Sequence, residues 1–258
     1  MLPRPPHKDE PGPRKSAHEG IIQLVRLDVH LVERGLAQSR AKAQDLIRGG
    51  RVRVNGKPVT KPAFQVGPMD QVEVEEERYV GRGAYKLLGA LEAFPMQVVG
   101  RVALDLGAGT GGFTQVLLER GARKVYAVDV GRGQLHPSLR QDIRVVNLEG
   151  QDARTLALPE PVELLVMDVS FISSTLLLPK VWRLLKPGGE ALVLVKPQFE
   201  LGPGVHRGVV REESLRRLAV EKVRRKAEEM GFQVLGERES PLPGREGNRE
   251  VWLFLRRP

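Results

Sequence analysis

The chain has 258 residues, carries a formal net charge of +9 and contains no cysteine. Its length accommodates one large domain plus a small one, while the lack of cysteine excludes disulfides, thiolate metal sites and cysteine nucleophiles. The five histidines lie at scattered positions, so a metal centre is not expected. The basic excess predicts a polyanionic partner, either nucleic acid or an acidic membrane surface, with a generally basic surface as the alternative.

Residues 1–20 combine proline and charge with almost no large apolar side chains, which predicts a disordered basic tail. This stretch also lacks the apolar centre of a signal peptide. The most apolar stretch, from Leu164 to Pro179, contains Asp168 and is too short to cross a membrane. These features predict a cytoplasmic protein that does not insert into a membrane.

Residues 21–75 predict a compact α+β module. Apolar residues at helical spacing begin at Ile22 and end at Gly35, which is a suitable residue for a helix C-cap. Ser39 is then placed to cap a second helix, which ends at a Gly-Gly pair. Alternating residues lead into an Asn-Gly pair at 55–56, which predicts a hairpin, and a last strand lies at 71–75.

The lysines and arginines of this module cluster on the second helix and the hairpin, whereas Glu73 to Glu77 lie outside the cluster. A patch of one charge sign gives affinity for phosphates without reading sequence, although a solvated charged face is the alternative. The predicted RNA-binding residues are Arg40, Lys42, Arg48, Arg51, Arg53 and Lys57.

Residues 26–59 carry a resemblance to a known RNA-binding module. The R-L-D opening, the Ser-Arg pair, the L-I-x-x-G sequence and the Val-Asn-Gly turn match the module first known from the fourth small-subunit ribosomal protein. The stretch therefore resembles an S4-type domain. The resemblance implies RNA binding through the cationic patch.

Residues 76–80 predict a short linker to a second domain at 81–258. From there, apolar runs alternate with helical segments, which is typical of an α/β domain with a mostly parallel sheet. The last two runs follow one another across a single loop and predict an antiparallel hairpin at the end of the sheet. The predicted strands are VALDL, KVYAVDV, IRVVN, VELLVMDV, EALVLV, FQVLGERE and REVWLFLRR.

The sequence LDLGAGTGGF at 104–113 fits both the dinucleotide fingerprint G-x-G-x-x-G and the G-x-G-x-G loop of methyltransferases. An aspartate before the first glycine and a Lys-Pro-Gly-Gly turn before EALVLV favour S-adenosylmethionine as the cofactor. The glycines would approach its methionine part, Asp129 its ribose and Asp152 its adenine, unless these aspartates only form turns or helix caps. The predicted cofactor contacts are Asp105, Gly107, Gly109, Gly111, Asp129 and Asp152.

The acceptor atom follows by elimination. MDVSFIS at 167–173 lacks the Pro-Pro motif that often accompanies methylation of nitrogen, and methylation at carbon five of a pyrimidine needs a cysteine. An oxygen acceptor remains. A ribose hydroxyl has a high pKa, so it needs a base and an oriented pocket.

Four charged residues lie where a pocket for such a hydroxyl would form. Three of them lie at the ends of apolar strands, where an unpaired charge is costly, so we expect the four to pair with one another. A solvated charge at a strand end is the alternative for each one alone. The predicted catalytic residues are Lys86, Asp168, Lys196 and Glu250.

The second half of the chain contains, in this order, GRGAYKL, LDLGAGTGGFT, VDVGRGQL, MDVSFIS and VLVKPQFE. These sequences resemble the motifs of the TlyA family, ribosomal RNA cytidine 2′-O-methyltransferases that are sometimes labelled hemolysins. This half is also similar to the wider FtsJ group, whose Lys-Asp-Lys-Glu tetrad falls on the four predicted catalytic residues. The resemblance implies a Rossmann-like class I methyltransferase fold, S-adenosylmethionine as cofactor, and ribosomal RNA or ribosomal subunits as partners.

The resemblance implies that Lys196 is the base, although the tetrad could instead orient the hydroxyl while water takes the proton. The sequence departs from the family at Asp152, which ends an E-G-Q-D string where the family more usually has E-R-T-N. Two other classes stay open, namely a membrane-lytic hemolysin and an RNA-binding protein with an inactive transferase domain. The amphipathic stretch at 211–232 ends on glycine before a strand, which predicts a helix that covers the sheet.

Overall fold

The computed structural model describes residues 24–75, 78–202 and 208–258, so the tail predicted at 1–20 lies outside the described residues. The chain divides into two compact units, Met1–Glu76 and Glu77–Pro258. Each unit has its own hydrophobic core.

The smaller unit consists of short helices and strands. Its described elements in chain order are β1 Val25–Arg26, α1 Leu27–Glu33, α2 Arg40–Arg48, β2 Val52–Val54, β3 Lys57–Pro58, β4 Gln65–Val66 and β5 Val72–Val74. β1 pairs with β4, and β2 pairs with both β3 and β5, always antiparallel. Leu27 and Leu31 of α1 pack with Ile47 of α2 at the centre of this unit, where all three are fully buried.

The predicted helix cap and hairpin of the smaller unit are confirmed. Ser39 Oγ accepts the N–H of Lys42 at 3.2 Å in the first turn of α2. Asn55 and Gly56 have φ angles of 51° and 75°, the left-handed backbone that a tight two-residue hairpin turn requires.

The first helix begins later than predicted. Val25 and Arg26 pair with Val66 and Gln65 as two short strands before α1 begins at Leu27. The helical spacing of the apolar residues does not reveal this pairing, because the partner strand β4 comes from a distant part of the sequence. Tertiary contact therefore overrides the local pattern here.

The larger unit is built on one seven-stranded sheet. Its described elements are α3 Gly83–Ala93, β6 Val102–Leu106, α4 Gly112–Glu119, β7 Lys124–Asp129, α5 Pro137–Arg140, β8 Val145–Glu149, β9 Val162–Met167, α6 Ser174–Leu184, β10 Leu185–Val195, α7 Pro197–Glu200, α8 Glu213–Glu229, β11 Gln233–Glu239 and β12 Val251–Arg256. The strand order is β11-β12-β10-β9-β6-β7-β8. β12 runs antiparallel to both neighbours and the other pairs are parallel, so the predicted terminal hairpin is confirmed.

Both faces of this sheet are buried. On β6, Leu104 and Leu106 belong to one core cluster and Ala103 to the other, as the alternation of side chains along a strand requires. Helices α6 and α8 supply the first cluster, while α3 and α4 supply the second. Burial on both faces explains why the predicted strands are almost continuously apolar.

Two predicted boundaries differ from the structure. The Lys-Pro-Gly-Gly turn lies within β10, whose pairing with β9 shifts register between Leu185 and Glu190. Residues 78–80, predicted as the end of a linker, pack instead on the larger unit. Tyr79 is buried in its core, and the Val80 N–H donates to Gln115 Oε1 at 2.8 Å.

The helix predicted at the amphipathic stretch is α8, which covers the sheet with Val220, Val223 and Ala227. Within the described ranges, we find no helix that combines the length and apolar character needed to span a membrane. Those ranges also contain no group of three or more side chains suited to hold a metal ion.

Candidate active site

A cleft of about 1150 Å³ opens at the carboxyl ends of the parallel strands. The chain runs from β6 to β7 and β8 on one side and continues with β9 on the other side of β6. Ligands of open α/β sheets bind at such a reversal of strand order. Eight of the predicted site residues line the cleft, namely Lys86, Gly107, Gly109, Asp129, Asp152, Asp168, Lys196 and Glu250.

Gly107 and Gly109 need to be glycine for different reasons. Gly107 has a φ of 91°, and a Cβ there would lie 2.3 Å from the backbone oxygen of Asp168. Gly107 therefore lets the loop after β6 approach the end of β9. Gly109 also has a positive φ of 54°, but a Cβ there would meet no described atom within 4 Å. The space beside Gly109 is open to the cleft.

Gly111, predicted to approach the cofactor, does not line the cleft. Its φ is 99°, and a Cβ there would lie 2.3 Å from Leu139 Cδ1 and 2.8 Å from Leu135 Cδ1. The residue begins α4 and leaves room for two core leucines. Packing therefore requires its missing side chain, while a contact between Gly111 and the cofactor stays a prediction. A glycine pattern cannot separate the two roles, because both need the same missing side chain.

Asp129 ends β7 with both carboxylate oxygens bound to backbone. Its Oδ2 accepts the N–H of Gly109 at 2.8 Å, and its Oδ1 accepts the N–H of Gly131 at 2.7 Å. The carboxylate thus joins the glycine loop to the loop after β7. Each oxygen can accept a further hydrogen bond, so Asp129 has capacity for hydroxyl groups of a ligand in the cleft.

Asp105 lies below the cleft and does not line it. The residue is fully buried, and its Oδ2 accepts the hydroxyl of Thr114 in α4 at 2.7 Å. Its Oδ1 has no hydrogen-bond partner among the described residues. Burial raises the pKa of Asp105 to about 7, with the Thr114 hydroxyl opposing this shift. Asp105 therefore joins the end of β6 to α4, while a contact between Asp105 and the cofactor stays a prediction.

Asp152 lines the cleft as one half of an ion pair. Arg154, which also lines the cleft, donates to both of its carboxylate oxygens at 2.6 to 3.1 Å. The Arg154 guanidinium lowers the pKa of Asp152 to about 2. Arg154 was not predicted as a site residue, although it follows Asp152 by two residues, a spacing at which Asp142 and Arg144 also pair.

The four predicted catalytic residues meet as two ion pairs, in which both lysines and Glu250 are buried and Asp168 is partly exposed. Lys86 Nζ lies 2.6 Å from Glu250 Oε2, and Lys196 Nζ lies 2.5 Å from Asp168 Oδ1. The expectation that these charges pair is confirmed, with one lysine for each carboxylate. Burial raises the pKa of Glu250, while the charges of Lys86 and Lys196 oppose that rise.

Three residues near Lys196 were missed by the sequence analysis. Lys196 Nζ donates to Ser170 Oγ at 3.0 Å. Phe171 follows with a φ of 65°, which is unusual for a bulky side chain, and the residue is 90% exposed. Its ring centre lies 5.2 Å from that of Phe199. The phenylalanine in the loop that follows β9 is the signal that could have pointed to this rim.

The cationic patch of the smaller unit is more strongly paired than predicted. Arg53 Nη2 forms a salt bridge with Glu75 Oε1 at 3.2 Å, and Arg51 donates to the Glu75 backbone oxygen. The prediction that Glu73 to Glu77 lie outside the patch is therefore wrong at Glu75, because β5 pairs with β2 and brings it alongside. Arg40 donates to Asp28, a fully buried carboxylate.

Both units of the chain match known protein families. The FtsJ-like methyltransferase family matches residues 79–257, and the S4 domain family matches residues 25–72. Over 244 residues, the chain is 49% identical to the 16S/23S rRNA (cytidine-2'-O)-methyltransferase TlyA of Mycobacterium tuberculosis. The match covers 92% of this chain and 91% of that protein. The chain belongs to the TlyA family.

Two further relatives carry hemolysin names. Hemolysin A of Brachyspira hyodysenteriae is 39% identical over 233 residues, which cover 88% of this chain and 97% of that protein. A solved structure from Streptococcus thermophilus, provisionally named a hemolysin, is 38% identical with a TM-score of 0.72 and covers 92% and 89% of the two chains. TlyA membership confirms the resemblance, the Rossmann-like fold with its S4 domain, and S-adenosylmethionine as the cofactor.

Proposed function

We propose that this chain transfers a methyl group from S-adenosylmethionine to the 2′-hydroxyl of a cytidine ribose in ribosomal RNA. The observation that carries the proposal is the pair of Lys-carboxylate contacts in the cleft, Lys86 with Glu250 and Lys196 with Asp168. Such a cluster of charge suits activation of a hydroxyl, which is a poor nucleophile while protonated. The printed name of the Mycobacterium tuberculosis relative supports the same reaction.

The cleft residues fit S-adenosylmethionine. A Cβ at Gly109 would meet no described atom within 4 Å, and the adjacent Asp129 carboxylate is held in place by two backbone N–H groups. Gly107, Gly109 and Asp129 would hold the methionine and ribose parts, with Asp152 and Arg154 beside the adenine. When bound, S-adenosylmethionine supplies an electrophilic methyl group on a sulfonium.

The tetrad would hold and deprotonate the acceptor. Lys196 is buried, contacts Asp168 and Ser170, and lies at the cleft surface, so its amine would contact the acceptor hydroxyl. As a neutral amine it would take the hydroxyl proton, and Asp168 would then stabilise the ammonium that forms. Lys86 and Glu250 would form the opposite wall of this pocket and hold the ribose in place.

The smaller unit would bind the RNA backbone. Arg48 and Lys57 are exposed cations on α2 and on the hairpin, and such groups neutralise phosphates without reading sequence. Arg51 and Arg53 would present their remaining N–H groups beside Glu75. A ribosomal RNA or ribosomal subunit as substrate would place the enzyme in the cytoplasm.

The experiment is transfer of labelled methyl from S-adenosylmethionine to isolated ribosomal subunits, followed by mass spectrometry of the labelled nucleotide. We expect label on the ribose of a cytidine, and none with the variant Lys196→Ala, which removes the proposed base. Label on a base instead of a ribose, or equal label with Lys196→Ala, would contradict the proposal. Lysis of red cells without methyl transfer would support the hemolysin names.

A further inference from the structure

A buried carboxylate outside the tetrad joins the two segments that carry Asp168 and Lys196. We call residues 168–174 the β9–α6 segment and residues 196–200 the β10–α7 segment. Glu200 ends the β10–α7 segment, and only 2% of its surface is exposed. Its Oε1 accepts the N–H of Ser174 at 2.8 Å, and its Oε2 accepts the hydroxyl of Ser173.

The carboxylate of Glu200 therefore binds the start of α6. Ser173 is the N-cap of this eleven-residue helix, and its Oγ also accepts the N–H of Thr175. The first N–H groups of a helix have no partner within the helix and carry the positive end of its dipole, so a carboxylate there is stabilised. Lys222 of α8 donates to the Glu200 backbone oxygen at 2.6 Å, which holds the end of α7 in place.

The two segments thus contact each other at three places. At one end Lys196 binds Asp168, in the middle the Phe171 and Phe199 rings lie 5.2 Å apart, and at the other end is Glu200. Phe171 has a left-handed backbone, which persists only where the surrounding structure holds it. Glu200 holds the chain in place two and three residues after Phe171, through its hydrogen bonds from Ser173 and Ser174.

We propose that Glu200 is a positioning residue for methyl transfer, whose charge holds the β9–α6 segment so that Asp168 stays against Lys196. The inference rests on the proposed function, because it assigns Glu200 a role in the same reaction. Glu200 does not line the cleft and acts through Ser173 and Ser174. An amide at this position has one acceptor atom where the carboxylate has two, and it carries no charge for the helix dipole.

The test compares Glu200→Gln with Glu163→Gln. Glu163 is a matched control, because it accepts the Val102 N–H and the Lys186 ammonium, both at 2.9 Å, near the opposite end of β9. We expect Glu200→Gln to lower the single-turnover rate at saturating cofactor and RNA by on the order of 10²-fold, since small misplacements of reacting groups have effects of that size. The Kd for S-adenosylmethionine and the rate of Glu163→Gln should stay at wild-type values.

Amide hydrogen exchange of the β9–α6 segment gives a second readout on the full-length protein. We expect faster exchange there in Glu200→Gln and wild-type exchange in Glu163→Gln. Unchanged exchange, or faster exchange with a normal single-turnover rate, would overturn the positioning role. If Glu200→Gln does not fold, Ser173→Ala removes one of the same contacts and is read by the same criteria.

These readouts also separate the inference from the proposed function. If wild-type protein transfers no methyl group to a ribose, the proposed function fails, while exchange still decides whether Glu200 holds the segment. The variant Glu200→Asp keeps the charge on a shorter side chain. It should recover part of the rate lost in Glu200→Gln, and a rate no better than that of Glu200→Gln would contradict a role for the charge.

Discussion

Two lysines at the ends of β10 show how position decides what a residue can do. Lys186 pairs with Glu163 at 2.9 Å, and 44% of its side chain is exposed. Lys196 pairs with Asp168 at 2.5 Å, and 10% of its side chain is exposed. Solvent screens the first pair, so it contributes little to stability. The second pair lies in the cleft, where the same two chemical groups can act on a substrate.

The variant Lys196→Arg tests the base directly. Arginine keeps the positive charge beside Asp168 but stays protonated at any working pH. We expect cofactor and RNA binding to persist while single-turnover methyl transfer falls by about 10²–10⁴-fold, the usual contribution of a positioned base. Lys186→Arg is the control and should leave the rate unchanged. Near-normal transfer by Lys196→Arg would mean that the site needs only positive charge, and the base role would be abandoned.

Asp129 is the residue whose substitution should most selectively weaken binding of the cofactor. In Asp129→Asn the amide keeps the shape but cannot accept from both Gly109 and Gly131, and it lacks the charge for ribose hydroxyls. We expect calorimetry to show S-adenosylmethionine binding weakened by about 2 kcal/mol, roughly 30-fold. Asp142→Asn, which removes a carboxylate paired with Arg144, is the control. Unchanged affinity in Asp129→Asn would remove Asp129 from the site.

At the scale of elements, the cleft depends on how closely neighbouring strand ends approach. β6 and β9 are adjacent and parallel, and the loop after β6 passes over the end of β9 at Gly107. The loop after β7 is joined to the same glycine loop through Asp129. A change in one loop is therefore transmitted to the next strand end.

The two glycines of this loop should respond differently to alanine. Gly107→Ala and Gly109→Ala both place a side chain at a positive φ, but only Gly107→Ala brings a Cβ against the Asp168 backbone. We expect Gly107→Ala to be less stable than Gly109→Ala by about 1–3 kcal/mol, the usual cost of overpacking, in urea unfolding. Equal stability would show that the contact between the two strand ends is loose.

The basic surface of α2 and the hairpin is best tested where its cations are exposed and away from Glu75. We expect Arg48→Glu combined with Lys57→Glu to weaken RNA binding and to reduce the slope of log affinity against log salt by about 2. Cofactor affinity should not change. The control combines Arg217→Glu with Arg225→Glu on α8, which changes the net charge equally in the larger unit. Equal losses in both double variants would show that only net charge matters.

At the scale of the whole molecule, the fold raises the pKa of some carboxyl groups and lowers the pKa of others. Burial raises the pKa of Asp105 to about 7 and also raises the pKa of Glu250. Backbone N–H groups, first that of Leu135, lower the pKa of Glu149 to about 2. The first two carboxyls favour the folded protein when protonated, whereas Glu149 favours it when ionised.

The stability of the larger unit should therefore fall as pH rises toward neutrality. The folded pKa of Asp105 lies above its ordinary value of 3.8, so the folded chain binds the extra proton between about pH 4 and 7. Asp105→Asn cannot ionise at this position. Between pH 5 and 7, we expect the free energy of unfolding of the wild type to fall by about 1 kcal/mol per pH unit more than that of Asp105→Asn. Urea unfolding of the cofactor-free protein measures this, and parallel curves would contradict a raised pKa at Asp105.

Much of the fold and site could be predicted from local sequence pattern. The Asn-Gly turn, the Ser39 cap and the two-sided apolar strands follow from backbone geometry and side-chain period, which act over a few residues. Asp168, Lys196 and Glu250 were predicted because charge at the end of a buried strand is costly wherever the strand lies. The glycine loop was recognisable because its glycines recur at fixed short spacing within LDLGAGTGGF.

Only the tertiary structure decided which of these groups meet. Lys86 pairs with Glu250 because α3 packs under the end of β12, 164 residues further along the chain. Glu75 reaches Arg53 because β5 pairs with β2, and Gly111 serves packing because α5 brings Leu139 against it. Such partners depend on strand order and helix placement, which local spacing does not encode. The sequence by itself determined the kinds of groups and most of their elements, and folding determined their neighbours.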